Sequence, residues 1–181
     1  ILCHSSLIHL GKMKEVDISD YPEKILEIFF SIIGSSGTVV VPASNYNYGL
    51  KNINFDIKKT KVSKSLGSFS NYIALHSLSN RSLNPIFSLA AVGKNSRVIC
   101  DQENATAFGE GSAWDNLFQL NPEILYLGCD FDATTLIRYI EFRYGVPYLY
   151  NKIFLTPVVK NNRKITNSVI APLRYHQDII I

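Results

Sequence analysis

Apolar positions follow two rhythms along the first 145 residues of this chain. Ile1-Leu2-Cys3 leads into the polar step His4-Ser5-Ser6, and a short amphipathic segment then ends at Gly11. Asp20-Tyr21-Pro22-Glu23 has the form of a helix start, with a capping Asp, a Pro in the first turn and an acid that suits the helix dipole. Ile25, Phe29, Ile32 and Ile33 follow at helical spacing, and Gly34 stops the pattern. Gly37-Thr38-Val39-Val40-Val41-Pro42 is a β-branched run bounded by breakers, which predicts a buried strand. Leu66 to Leu78 reads as a helix with Phe69, Tyr72 and Ile73 on one face, and Phe87 to Val92 as a strand ending at Gly93.

The second half repeats the alternation. Ser112-Ala113-Trp114-Asp115 has the Ser-x-x-acid form of a capping box before Leu117, Phe118 and Leu120. Ile124 to Leu127, closed by Gly128, predicts another buried strand, and Asp132 the cap of a helix reaching Tyr144. From Tyr148 the pattern becomes strand-like, with Ile153 to Val159 and Ile165 to Ile170 flanking the turn-rich Lys160-Asn161-Asn162-Arg163. The segment Ala43 to Lys64, rich in Asn, Tyr, Gly and Lys, reads as a long loop of the kind that often carries function. The predicted class is α/β, with a mixed central sheet flanked by helices and a C-terminal β-hairpin region over about residues 148–181. The 181 residues suit a single domain, with strands and helices alternating up to Gly145.

Composition adds limits. The chain is 46% hydrophobic and 18% charged, which is globular, and its net charge of +3 lacks the dense basic stripe of a nucleic-acid binder. One basic cluster, Lys58 to Lys64, is either a solvated loop or an attractor of phosphorylated ligands. Cys3, Cys100 and Cys129 form no Cys-x-x-Cys pair, so neither a disulfide framework nor a metal site is expected, and a reducing, cytoplasmic setting fits. Cys3 and Cys129 lie in apolar runs and read as core. No apolar run reaches the roughly 18 residues of a membrane span.

The His4-Ser5-Ser6 step is the first candidate site. A strand tip delivering an imidazole and two hydroxyls into a turn suits a polar ligand, and helix-start N–H groups suit an anion. Three further segments follow it: Gly37 to Pro42 with Phe55-Asp56 and Leu66-Gly67; Phe108-Gly109-Glu110-Gly111-Ser112-Ala113-Trp114-Asp115-Asn116-Leu117; and Leu127-Gly128-Cys129-Asp130-Phe131-Asp132 running to Glu141. In this order and spacing the four resemble the aminoglycoside 3-N-acetyltransferase-like family, with Ala113 where the family has Pro. The resemblance covers residues 1–145 well and the tail more loosely. It implies a longer full protein with residues before Ile1, acetyl-CoA as donor, and a small-molecule amine as acceptor, and it leaves room for a homo-oligomer.

The resemblance also implies site residues. His4, Ser5 and Ser6 would contact the pantetheine and phosphate portion of CoA, with Ser112 at a helix start and Trp114 either core or a wall of the CoA channel. The aminoglycoside-modifying members carry His-Pro-Thr-His-Ser where this chain reads Asn84-Pro85-Ile86-Phe87-Ser88, and Asn and His where it has Thr134 and Arg138. Asn84 therefore stands on the acceptor side in a catalytic position without a titratable group. The acceptor for a proton is left open among His4, Asp132, Glu141, Glu110 and water; His9, His76 and His176 stand in no constellation. The rewritten acceptor side implies an amine on an amino sugar, as in the surface-polysaccharide branch of the family. An antibiotic amine, or a non-catalytic relative that keeps the fold, are the alternatives.

Overall fold

The computed structural model describes residues 1–51, 53–101 and 105–175. In chain order it contains β1 (Leu2–Ser5), α1 (Tyr21–Ile33), β2 (Thr38–Pro42), α2 (Asn47–Lys51), β3 (Phe55–Asp56), α3 (Gly67–Leu75), β4 (Asn80–Arg81) and β5 (Leu89–Gly93). There follow α4 (Ser96–Cys100), α5 (Ala113–Gln119), β6 (Ile124–Leu127), α6 (Leu136–Tyr144), β7 (Leu149–Phe154), β8 (Val158–Lys160), β9 (Arg163–Thr166) and β10 (Val169–Arg174). The central sheet has the order β4-β5-β2-β1-β6. β1 pairs in parallel with β2 and β6, while β5 runs antiparallel to β2 and β4, so the sheet is mixed as its pattern predicts.

Strand alternation sorts the apolar side chains into two cores. Cys3, Val39, Val41, Ala90 and Val92 pack against α1 and α3. Leu2, Val40, Leu89 and Ala91 face the other way, against Ile99, Trp114, Leu117, Leu136 and Tyr139 of α4, α5 and α6. This is why β2 reads as a continuous Thr-Val-Val-Val-Pro run: every residue in it is buried.

The two layers set up the site. The chain leaves β1 toward α1 on one face and leaves β6 toward α6 on the other. Adjacent parallel strands whose exits diverge leave a crevice beyond their carboxyl ends, the usual ligand position in open α/β sheets.

Several local expectations need correction. The stretch Ala43 to Lys64 is not a bare loop, since it contains α2 and β3, and β3 pairs with β8. Asp20 makes no side-chain cap bond, because a 3-10 turn (Ile18–Asp20) already precedes α1. Asp132 does not cap α6: it lies in a separate 3-10 turn, Phe131–Ala133, and α6 starts after Thr135. The expected Ile153 to Val159 strand is two strands. β7 pairs with β10 at the far end of the segment, and only β8 joins β9 in the predicted hairpin. Asn161 and Asn162 both take positive φ there, as a tight hairpin turn requires. His176 lies outside the described residues.

Candidate functional site

β1 ends beneath the crevice. The backbone N–H of Ser6 donates to Leu127 O at 2.9 Å, which ties the first turn to the exit of β6. His9, in the 3-10 turn Leu7–Leu10, adds a ring nitrogen 3.1 Å from Gly128 O. Two glycines make room for the turn. Gly128 has φ +69°, and a Cβ there would stand 2.6 Å from Ser6 O. Gly67, at the start of α3, has φ +84°, and its Cβ would lie 3.1 Å from Ser5 O. The first turn is thus held between the exit of β6 and the start of α3, and sequence reasoning missed both His9 and this clamp.

Because β1 continues through Ser5, its alternation sends His4 and Ser5 to opposite faces of the sheet. His4 lies on the α5/α6 side, 4% exposed, with its ring stacked on Tyr126 at 5.7 Å. Ser5 lies on the α1/α3 side. His4 Nε2 and Ser5 Oγ are buried side-chain atoms with no hydrogen-bond partner among the described residues. Burial alone pulls the His4 imidazole down from 6.5 to about 4, so it is neutral at physiological pH. Ser6 is the member of the trio that opens onto a groove, shared with His9, Gly128, Cys129, Asp130, Asp132 and Ala133, of about 740 Å³. Cys129 is half-buried along this groove rather than a core residue.

The Ser112 segment is structural in its contacts. Ser112 Oγ accepts the Asp115 N–H at 3.2 Å as the box predicted from sequence requires, but Asp115 Oδ2 accepts the Gly111 N–H at 2.9 Å, because the Ser112 N–H is already given to Gly109 O. Burial works to raise the Asp115 carboxyl, but bonds from the Tyr139 hydroxyl and Gly111 N–H, with Arg143 alongside, hold it below the usual carboxylate range. Trp114 has no exposed surface. Its Nε1–H donates to Phe87 O at 2.7 Å, so it braces the Asn84–Ser88 segment.

In that segment Asn84 is fully engaged. Its Nδ2 donates to Ala105 O at 3.0 Å and Ile170 O at 2.9 Å, and its Oδ1 accepts from Ile86 N at 3.1 Å and Phe87 N at 3.2 Å. Arg81, 4% exposed, donates to Ala43 O, Thr60 O and Ser88 Oγ and lies over the Phe55 ring. Burial lowers that guanidinium to about 9. Glu141 is 8% exposed and its carboxylate is shared: Tyr148 donates to Oε1 at 3.0 Å, Arg174 pairs with the same oxygen, and Arg138 reaches Oε2 at 3.3 Å. Asp132 is exposed on the groove. The structure therefore gathers Ser6 and Asp132 on one groove, buries His4 against Tyr126, and places Asn84, Ser112, Trp114 and Glu141 in hydrogen-bond networks. Among the described residues, no group of three His, Cys, Asp or Glu side chains stands as a metal-ligand set, and no helix is long and apolar enough to cross a membrane.

These features define a three-layer α/β protein with a crevice at the β1/β6 boundary. The profile described as aminoglycoside 3-N-acetyltransferase matches residues 2–178, and the chain belongs to that family. Aminoglycoside N(3)-acetyltransferase IV from Salmonella sp is 27% identical over 143 residues, which is 78% of this chain and 53% of that protein. The chain thus spans about half the length of the curated relative it matches. Among solved structures, YokD from Bacillus subtilis superposes with a TM-score of 0.77 at 19% identity, covering 98% of this chain and 75% of its own. AAC-IIIb solved with CoASH gives 0.78 at 19% identity (99% and 70%), and sisomicin-bound AAC-VIa gives 0.77 at 17% (95% and 68%). At these identities the structural likeness establishes the α/β fold.

Proposed function

We propose that this chain carries the transfer site of an acetyl-CoA-dependent N-acetyltransferase acting on a primary amine of an aminoglycoside. Support comes from the family match, from the name of the Salmonella relative and from the CoASH-bound neighbour. The observation that carries the reading is the pair of buried, unpartnered atoms, His4 Nε2 and Ser5 Oγ, on the two sides of a glycine-clamped turn at the switch point. Orphaned buried polar groups are costly, and a bound partner satisfies them. With Ser6 on the groove, they fit a ligand that offers amide and phosphate groups along its length, as CoA does.

When bound, the thioester supplies an activated acetyl group with a good leaving group. The chain must hold the acceptor amine at short range and take its proton. Asn84 has no free valence, and the Glu141 oxygens are engaged by two guanidiniums and a phenol. His4 combines a neutral imidazole with an unused ring nitrogen, so we assign the proton to His4 Nε2. Ser5 and Ser6 hold the donor. Ser112 and Trp114 fix the start of α5 and the Phe87 carbonyl that border it.

A second reading has an observation of its own. Arg138 and Arg174 flank the single carboxylate of Glu141, and Phe87 stands on the acceptor side, which favours a smaller, less cationic amino sugar. Titration calorimetry with acetyl-CoA tests both readings: micromolar binding is expected, and no heat up to millimolar donor overturns them. Thiol release with kanamycin and gentamicin against simple amino sugars then separates the two. His4→Gln is expected to lower kcat by about 100-fold or more, and unchanged turnover would remove His4 from its role.

A further inference from the structure

Two basic runs far apart in the chain meet at one end of the small β3-β8-β9 sheet. β3 leads into the turn of Lys58 and Lys59, whose backbone N–H groups donate to Asp56 Oδ1. β8, parallel to β3, folds back as β9 through a hairpin in which Lys160 pairs with Arg163 and Lys164 stands opposite Val159. Lys59 Nζ donates to Asn162 Oδ1 at 3.4 Å and joins the two runs. None of these five cations lines the groove at Ser6.

The charges here do not balance. Among the described residues only Lys160 of the five has a carboxylate partner, Asp101, and the other four are exposed. Five cations against Asp56 and Asp101 leave as much net positive charge at this end of one small sheet as the whole chain carries, +3. The other end of the sheet is aliphatic. The Phe55 N–H donates to Pro157 O, so Ile53 and Leu155, two residues before each, flank the same end of the β3/β8 pair. The Tyr48 hydroxyl bonds to Thr156 O, and a Cβ on Gly49 would lie 2.6 Å from Phe154 Cε1, which brings Leu50 of α2 alongside. Leu50 and Leu155 are 80% and 81% exposed. Phe55 and Val158 fill the inner face of the sheet, so its solvent side offers cations at one end and aliphatic tips at the other.

A single exposed leucine is ordinary, but several grouped beside unpaired cations match a surface with anionic headgroups over an apolar interior. A nucleic acid would meet the same cations, yet it calls for aromatic faces on which bases stack, and the tips here are aliphatic. We infer that the β3-β8-β9 sheet is a docking face for an anionic lipid bilayer. Lys58, Lys59, Arg163 and Lys164 engage the headgroups, and Leu50 and Leu155 enter the acyl boundary, so the chain lies on the membrane without crossing it. The face is separate from the Ser6 groove and does not depend on the acetyl-transfer reading.

The experiment is co-sedimentation of the chain with vesicles of phosphatidylcholine alone and of phosphatidylcholine with about a third phosphatidylglycerol. Wild type is expected to bind the anionic vesicles at least tenfold more tightly. Arg163→Glu with Lys164→Glu should weaken that binding at least tenfold, and Leu155→Ser by about fivefold, with melting temperatures unchanged. Arg163→Gln with Lys164→Gln serves if the charge reversal does not fold. No binding to anionic vesicles, equal binding to both kinds, or undiminished binding in the charge variants overturns the docking face. Undiminished binding in Leu155→Ser also overturns it, because a plain polyanion site needs no aliphatic tip. Tighter binding of single-stranded RNA than of anionic vesicles assigns the cations to nucleic acid and overturns the bilayer claim.

Discussion

The first turn and the Asn84–Ser88 segment, which joins the exit of β2 through the Ala43 N–H to Ser88 O bond, treat their polar atoms in opposite ways. Around Asn84 both amide hydrogens and the carbonyl oxygen have partners, and Ser88 Oγ receives Arg81 and donates to Ser82 O. At the first turn, His4 Nε2 and Ser5 Oγ have none. A segment whose hydrogen bonds are complete is a fixed wall. One that leaves buried donors and acceptors unmet carries a free-energy cost that a ligand relieves on binding. On the proposed reading, ligand contact falls at the first turn, which carries the family resemblance, and support at Asn84, where the chain departs from the family's pattern.

The strongest way to break the contrast is to cut into the wall. Asn84→Ala leaves the Ala105 and Ile170 carbonyls and two backbone N–H groups without their partner, and is expected to destabilise the fold by about 3 kcal/mol. Chemical denaturation measures this; a change under about 0.5 kcal/mol, the scale of an ordinary surface substitution, would mean that the segment is not the wall described. Gly128→Ala attacks the clamp. The left-handed φ and the approach of Ser6 O predict a loss of about 2 kcal/mol together with weaker CoA binding. Wild-type stability and donor affinity in that variant would show that the turn does not need the glycine.

Acid probes the first turn itself. The folded His4 pKa, about 4, lies below its ordinary 6.5, so the unfolded chain binds the proton more readily. Stability conferred by the neutral ring is present above pH 6.5 and is lost as pH falls toward 4, by on the order of 3 kcal/mol. His4→Phe should flatten the stability profile across that window, and an unchanged slope would place the titration elsewhere. The smallest effect on folding is expected from Ser5→Ala with Ser6→Ala. Melting should barely move, since Ser5 Oγ has no partner to lose, while donor affinity falls at least tenfold, about 1.4 kcal/mol. A large stability loss with intact affinity would reverse the contrast.

Much of the scaffold is legible from local pattern. The Val39-Val40-Val41 run, the helix of Ile25 and Phe29, the Ser112 cap on the Asp115 N–H and the Asn161-Asn162 hairpin all arise from interactions within a few residues. The misreadings share a cause. β7 pairs with β10 and β3 with β8 across long separations, and Asp132 is displaced from the helix start by a 3-10 turn packed beside the groove, so none of these is encoded in short windows.

The sequence by itself determined the elements, their order and the four segments that mark the family, because these depend on side-chain type and near-neighbour spacing. Tertiary structure decided which atoms are available for chemistry. Strand alternation parts His4 from Ser5, long-range hydrogen bonds occupy Asn84, and the convergence of α6 and β10 places Arg138 and Arg174 on one carboxylate. Whether a polar atom is engaged or open depends on partners distant in the chain, and only folding brings those partners within reach.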